Sequence, residues 1–307
     1  MVPDLLSPSQ TPSQKTRLAV FPADAGLRLD LFLAAATTRS RRQLRRDIAD
    51  GLVWRNGQPV RVASRQLEFG DIVDLLLPPE ATGAPATPAV ESLEIIHRDS
   101  WLIVVDKPSG LLSQPAEVRQ PGELAADETL CLQLAIEAGS PPFLRLVHRL
   151  DRPTSGLLLF AGRPEALPRL AKAWSSGQVH RSYLAVVEGA PLWQQQTLSG
   201  AIARDRSVAW RFEVSPEGRP AETEVRVLGH EAGLTQIECR LKTGRTHQVR
   251  VHLAHAGFPV AGDVLYGGHR EVAARPLLHA AGLVLPHPKD GSALTLRAPL
   301  PPDFPPC

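Results

Sequence analysis

Two polar stretches interrupt otherwise apolar sequence and carry the side chains best placed to do chemistry. The first, LVHRLDRPTSGLLLF (146–160), leaves an apolar segment through His148-Arg149-Leu150-Asp151-Arg152 and returns to one through Pro153-Thr154-Ser155-Gly156. Pro-Thr-Ser-Gly is turn composition, so Asp151 is expected to project from a loop between two core strands. The second, LKTGRTHQVRVHLAHAG (241–257), breaks a strand at Thr243-Gly244-Arg245-Thr246 and starts a helix. The competing reading is two surface turns decorated with charges. Polar residues set inside apolar sequence favour function. His247, His252 and His255 raise the question of zinc. Helical spacings of five and eight separate the first from the third, and no carboxylate lies among them, so a structural or substrate-contacting role is preferred and no metal is expected.

Other reaction classes lack their signatures. The chain has no G-x-x-x-x-G-K-[ST] loop, G-x-G-x-x-G fingerprint, H-E-x-x-H helix or G-x-S-x-G elbow. No redox cofactor is suggested. Three cysteines (Cys131, Cys239, Cys307) stand far apart, which argues against a disulfide framework and fits a cytoplasmic protein. No apolar run reaches membrane-spanning length, and the first residues lack a signal-peptide core.

The elements that must position these residues are legible along the 307-residue chain. Residues 1–16 read as a loose polar tail, and 17–77 as a small module. There Asp30 is expected to cap a helix carrying Leu31, Phe32 and Leu33. Ser40 is expected to cap a second helix, RRQLRRDIADG, with Gly51 just past its end. Strand-like LVWRNGQPV and DIVDLLL follow, with Asn56-Gly57 as a hairpin turn. A Pro- and Ala-rich linker (78–92) leads to a larger domain, 93–307. Its short apolar runs, LEIIH, WLIVVD, GLLLFA, YLAVVEG, TEVRVLG, QIECRL and LTLRAPL, read as strands, and ETLCLQLAIEAG and EALPRLAKAWSSG as helices. Strands and helices do not alternate strictly. The expected class is therefore α+β with a large mixed, mostly antiparallel sheet, flanking helices and a small N-terminal α/β module.

Charge is unevenly spread. The net charge is only +2, but the basic residues comprise 29 Arg and 5 Lys. Arg suits planar contact with phosphate and stacking on bases, although a coding bias towards Arg and Ala gives the same ratio. Eight Arg against two Asp fall between residues 39 and 65, with Arg41, Arg42, Arg45 and Arg46 on one helix.

With these residues in hand, the sequence resembles RluA-type pseudouridine synthases. HRLDRPTSGLLL, RSYLAVVEG, TGRTHQVRVHLAHAGFPVAGDVLYGG and LLHAAGLVL-PHP occur in the family's order, and DKPSGL (106–111) resembles its early Lys-Pro-x-Gly-Leu signature. GLRLDLFLA, SRRQLRRDIADGLVWRNGQPV and FGDIVDL resemble the S4 RNA-binding domain that often precedes such catalytic domains.

The resemblance implies isomerisation of uridine to pseudouridine in RNA, without metal or cofactor. It implies that Asp151 is the attacking carboxylate, at C6 of the base or through sugar chemistry. Arg245 matches the arginine paired with that Asp, and Tyr183 the tyrosine that stacks on the base and assists transfer of the C5 proton. Arg149 matches a residue that enters the RNA when the nucleotide flips out, and Arg41, Arg42, Arg45 and Arg46 are the expected phosphate contacts. Arg181 stands where many members have Lys, and Asp106 where Asn is frequent; neither receives a role. The S4-like module points to ribosomal RNA, most simply of the large subunit. Transfer RNA is the alternative within the class, and a non-catalytic RNA-binding or assembly factor the alternative outside it. A monomer is expected.

Overall fold

The computed structural model describes residues 14–37, 39–77, 92–116, 119–120 and 123–305. Two compact units emerge: residues 1–92 with 120–123 and 128–142, and residues 93–119, 124–127 and 143–307. Residues 128–142, expected in the larger domain, thus group with the N-terminal unit. The linker, except Ser92, and residues 1–13 of the tail lie outside the described residues.

The first unit contains β1 (Gln14–Ala19), α1 (Leu29–Ala36), α2 (Arg41–Ala49), β2 (Val53–Arg55), β3 (Gln58–Pro59) and β4 (Ile72–Leu77). Its antiparallel sheet has the order β1-β4-β2-β3. Residues 14–16, expected in the tail, are strand because they pair with Leu75–Leu77. Leu29, Phe32 and Leu33 of α1 meet Leu44 and Ile48 of α2 and Val73 and Leu75 of the sheet in one core. Ser40 caps α2 as expected: its Oγ accepts the Gln43 amide, and Gln43 Oε1 accepts the Ser40 amide. Asn56 and Gly57 both take positive φ (51° and 75°), the geometry of a two-residue hairpin turn between β2 and β3.

Asp30 departs from expectation. Helix α1 begins two residues earlier, after Arg28, so Asp30 lies within its first turn rather than capping it. Its carboxylate is fully buried and receives Arg28, Arg41 and Arg45 at 2.9–3.1 Å. Burial opposes ionisation, but hydrogen bonds from the three guanidiniums prevail and hold the carboxyl well below its ordinary pKa.

From Leu93 onwards the elements are β5 (Glu94–Arg98), β6 (Leu102–Lys107), α3 (Ala126–Ala138), β7 (Arg145–Leu146), β8 (Ser155–Ala161), α4 (Ala166–Ser175), β9 (His180–Glu188), β10 (Gln195–Ser199), β11 (Ile202–Arg204), β12 (Phe212–Val214), β13 (Glu222–Glu231), β14 (Leu234–Leu241), α5 (Gln248–His255), β15 (Leu278–Pro286) and β16 (Ala293–Arg297). Ten strands form one sheet, in the order β10-β13-β14-β9-β15-β8-β6-β5, with β16 on β15 and β7 on β8. Among the described residues only β8 and β15 pair in parallel, so the architecture is the α+β, mostly antiparallel sheet expected. β8 is buried at all seven positions, which explains its unbroken apolar run. Leu157 and Leu159 of β8 pack with Leu102 and Val104 of β6 and with Leu170 and Ala173 of α4.

Gly156 is demanded by the β8–β15 pairing. A Cβ there would sit 2.4 Å from the Ala280 carbonyl oxygen, and φ is +110°. Among the described residues no helix is long and apolar enough to cross a membrane.

Candidate active site

The loop entering β8 carries Asp151, as the Pro-Thr-Ser-Gly turn predicts, and the Thr154 amide donates to the Asp151 carbonyl at 3.0 Å. A second segment buttresses it. Lys107 is fully buried, and its Nζ donates to the carbonyls of Pro108 (2.9 Å), Leu111 (2.8 Å) and Arg152 (3.3 Å). Ser109 Oγ donates to the Pro153 carbonyl at 2.7 Å, and Ser113 Oγ bonds both the Leu150 amide and its carbonyl. DKPSGL therefore acts as a clamp on the Asp151 loop. Burial pulls the Lys107 pKa down to about 7, against the attraction of Asp151.

Around this loop lies a cleft of about 890 Å³, lined by Arg149, Asp151, Trp174, Tyr183, Arg245 and Arg250 among others. Of the site residues expected in the larger domain, Asp151, Tyr183, Arg245 and Arg149 all border it. Tyr183 comes from the middle of β9, where its neighbour across the ladder is Cys239. It is 8% exposed, and burial raises its pKa, so the phenol is neutral at physiological pH. Arg181 lies two residues earlier on the same strand face. Its guanidinium lies 5.5 Å from the Trp174 ring centre and donates to the Thr243 carbonyl at 3.0 Å.

The arginine beside Asp151 is not the one expected. Arg245 Nε donates to the Pro220 carbonyl at 3.0 Å, whereas Arg250 Nη1 reaches Asp151 Oδ2 at 3.3 Å. The cause is the start of α5. His247 adopts a left-handed conformation (φ 57°, ψ 18°) ahead of the helix, and Arg250 follows in its buried first turn. Arg250 is itself gripped by the fully buried Asp263 through Nε (2.6 Å) and Nη2 (2.8 Å). Its guanidinium lies 4.9 Å from the Tyr266 ring centre. Burial works against its charge, but the Asp263 bonds outweigh that and raise its pKa.

His247 joins the same group. Its Nε2 lies 3.7 Å from Asp151 Oδ2, and its Nδ1 lies 2.7 Å from the Tyr266 hydroxyl. That hydroxyl oxygen already accepts the Phe212 amide at 3.0 Å, which leaves its own proton for Nδ1. In this tautomer the imidazole proton sits on Nε2 and faces the carboxylate. Burial lowers the His247 pKa despite the pull of Asp151, so the ring is neutral at pH 7. Asp151 thus meets a fixed cation and a neutral donor on one side, with its carboxylate 25% exposed to the cleft.

The three histidines of the second stretch part company. His252 is buried against Thr223 Oγ1 (2.9 Å) and the Gly200 carbonyl (3.2 Å), while His255 is exposed. Sequence reasoning missed Arg250, His247 and Lys107 as parts of the site. The DKPSGL and THQVR motifs contained them, but only the loop conformations show which side chains turn inward.

The sequence profile described as RNA pseudouridylate synthase matches residues 101–255, which contain all of these residues but Asp263 and Tyr266. An uncharacterised RNA pseudouridine synthase of Bacillus subtilis is 36% identical over 282 residues, covering 90% of this chain and 91% of that protein. This chain belongs to the RNA pseudouridylate synthase family. Ribosomal large subunit pseudouridine synthase D of Xylella fastidiosa is 36% identical over 295 residues, 91% of this chain and 87% of its own. Among solved structures, human RNA pseudouridylate synthase domain containing 1 is 27% identical, with a TM-score of 0.59 over 70% of this chain and 86% of its own. An S4 domain profile matches residues 27–73. The family reaction, uridine to pseudouridine in RNA, is an isomerisation, so the chain is an isomerase of RNA.

The expected RNA contacts on α2 divide in two. Arg41, Arg42, Arg45 and Arg46 line one shallow depression, but Arg41 and Arg45 are spent on Asp30. Arg42 and Arg46 are exposed and form no ion pair with a described residue.

Proposed function

We propose that this protein converts a uridine of large-subunit ribosomal RNA to pseudouridine, with Asp151 as the nucleophilic carboxylate. In the reaction the C1′–N1 bond breaks, C1′ bonds to C5, the C5 proton is released, and N1 takes up a proton in exchange. The carboxylate acts as an anion, whether at C6 of the base or at the sugar. The observation that carries this assignment is the Asp151 carboxylate, open to the cleft on one side and held by Arg250 on the other, with His247 Nε2 3.7 Å away. Tyr183 offers a ring face for the flipped uracil and a neutral hydroxyl for proton transfer. Arg149, exposed at the cleft, is suited to fill the space that the flipped nucleotide leaves in the RNA.

The ribosomal target is supported by the naming of relatives from Xylella fastidiosa and Xanthomonas campestris as ribosomal large subunit pseudouridine synthase D, and by the S4 domain. A monomer acting in the cytoplasm completes the proposal. Site-resolved pseudouridine mapping of total RNA, with and without the gene, tests it. Loss of a large-subunit rRNA signal is expected, and loss confined to transfer RNA would overturn the target.

A further inference from the structure

We propose that His97, Asp99 and His287 form a site for a divalent transition-metal ion of the zinc type, which staples the β5–β6 turn to the β15–β16 turn. The site is separate from the catalytic cleft. Leu102 pairs with Ala161 at one end of β6, whereas Lys107, which holds the Asp151 loop, pairs with Gly156 at the other. Asp99 lies just before the Leu102 end. The three residues form the one cluster among the described residues whose His, Cys and carboxylate donor atoms converge as ligands would.

The donors already stand close to ligand positions. His97 Nε2 and His287 Nε2 each lie 2.9 Å from the same atom, Asp99 Oδ2. Adjacent ligands about 2.0–2.2 Å from one ion are separated by about 3.0–3.5 Å, so small displacements suffice. Two imidazoles and a carboxylate suit zinc, cobalt or nickel and leave one position for water; magnesium and calcium prefer all-oxygen sets.

The surroundings fix the ligands. Asp99 Oδ1 accepts the amides of Trp101 (2.6 Å) and Leu102 (2.9 Å), which orients Oδ2 towards the imidazoles. Arg169 Nη1 donates to the carbonyls of Pro288 (2.7 Å) and Lys289 (3.0 Å), fastening the turn after His287. His287 Nδ1 accepts the Lys289 amide at 3.2 Å, with Asp290 Oδ1 3.8 Å away. The metal-free form therefore carries the His287 proton on Nε2. An ion taking Nε2 moves that proton to Nδ1 and turns it from the Lys289 amide to the Asp290 carboxylate, the outer partner that metal-bound histidines commonly have.

The test titrates the chelator-stripped full chain with zinc chloride by calorimetry and follows cobalt(II) by its visible absorption. One equivalent should bind with a dissociation constant of about 10 µM or tighter and raise the melting temperature. Cobalt should give the ligand-field bands of a four- or five-coordinate ion. The double variant His97→Gln/His287→Gln should lose at least about tenfold in affinity and most of the thermal shift, yet keep the wild-type rate of pseudouridine formation. The absence of one-equivalent binding below about 100 µM, or undiminished binding in the double variant, would leave only a hydrogen-bonded bridge and overturn the proposal. Should the double variant fail to fold, the cobalt spectrum of the wild-type chain decides, and a six-coordinate, aquo-like spectrum counts against the site.

Discussion

Arg250 places its Nη1 3.3 Å from Asp151 Oδ2 while holding Asp263 with two shorter bonds of 2.6 and 2.8 Å. The stronger grip faces the interior and the weaker one faces the cleft. Asp263 thus acts as the anchor that aims a cation at a more exposed carboxylate, leaving Asp151 free to change partners during a reaction.

Removing that arginine should affect both fold and chemistry. Arg250→Ala strands the buried Asp263 carboxylate, and breaking such a pair costs about 3–5 kcal/mol. Arg250→Lys keeps the charge but loses the two-pronged contact, so it should fold with a smaller loss and still be slowed at saturating RNA. Urea unfolding alongside single-turnover rates will separate the two effects. Arg245→Ala, by contrast, should fold like the wild type and lose RNA affinity more than rate. A collapse of the Arg245→Ala rate with Arg250→Lys unaffected would reverse the pairing assigned here.

Tyr183→Phe retains the aromatic face and the packing of β9 while deleting the hydroxyl. Its RNA affinity and melting temperature should stay near wild type, and the single-turnover rate should fall by about 10²-fold or more, the usual contribution of a positioned proton-transfer group. A rate within a factor of two of wild type would reduce Tyr183 to a stacking surface.

On α2, Arg42 and Arg46 are the arginines free to meet phosphate. Replacing either with Ala should reduce the log–log salt slope of RNA binding by about one unit, with unchanged stability. Arg41→Ala and Arg45→Ala each uncover the buried Asp30 carboxylate and should lower the unfolding midpoint of the N-terminal unit as well. Equal salt slopes for wild type and the Arg42/Arg46 double variant would remove α2 from the RNA interface.

Acid should weaken the fold through its buried histidines. The Asp106 carboxyl offsets part of this, since burial raises its pKa to about 6 and it therefore favours the native chain as the pH falls. Burial lowers the pKa of His148 and of His279 to about 4. Below about pH 6.5 the unfolded chain takes up protons at both positions and the native chain does not, so stability declines from there and the effect levels off near pH 4. Each histidine contributes up to about 3 kcal/mol to this decline, less for the partly exposed His148. Urea midpoints at pH 7, 6 and 5 should fall in wild type and fall less in His279→Gln. A flat wild-type profile over that window would contradict the burial-driven shifts.

Much of this was legible in the sequence. The Pro-Thr-Ser-Gly turn located Asp151, the short apolar run YLAVVEG placed Tyr183 on a strand, and Ser40 with Gly51 marked the two ends of α2. The partner of Asp151 was not legible, because TGRTHQVR offers two arginines five residues apart. The left-handed His247 decides which one faces the cleft, and histidine has no strong signature for that conformation. The Asp30 cluster escaped for a related reason: an aspartate near a helix start reads as a cap until the tertiary fold turns it inward. The β11–β12 hairpin escaped as well, since ARDRSVAWRFEV has no clean alternation and is tied in place by Phe212 reaching Tyr266. His97, Asp99 and His287 lie nearly two hundred residues apart at the extremes, and the strand order β15-β8-β6-β5 of the sheet brings them together.

The most direct measurement is single-turnover release of tritium from C5-labelled uridine by Asp151→Asn at saturating enzyme, with RNA affinity measured in parallel. The substitution preserves size and most hydrogen bonding while removing the anion. Tritium release should vanish while affinity and melting temperature remain close to wild type, since most RNA affinity comes from phosphate contacts elsewhere. Substantial release by Asp151→Asn would contradict the assignment of Asp151 as the nucleophile.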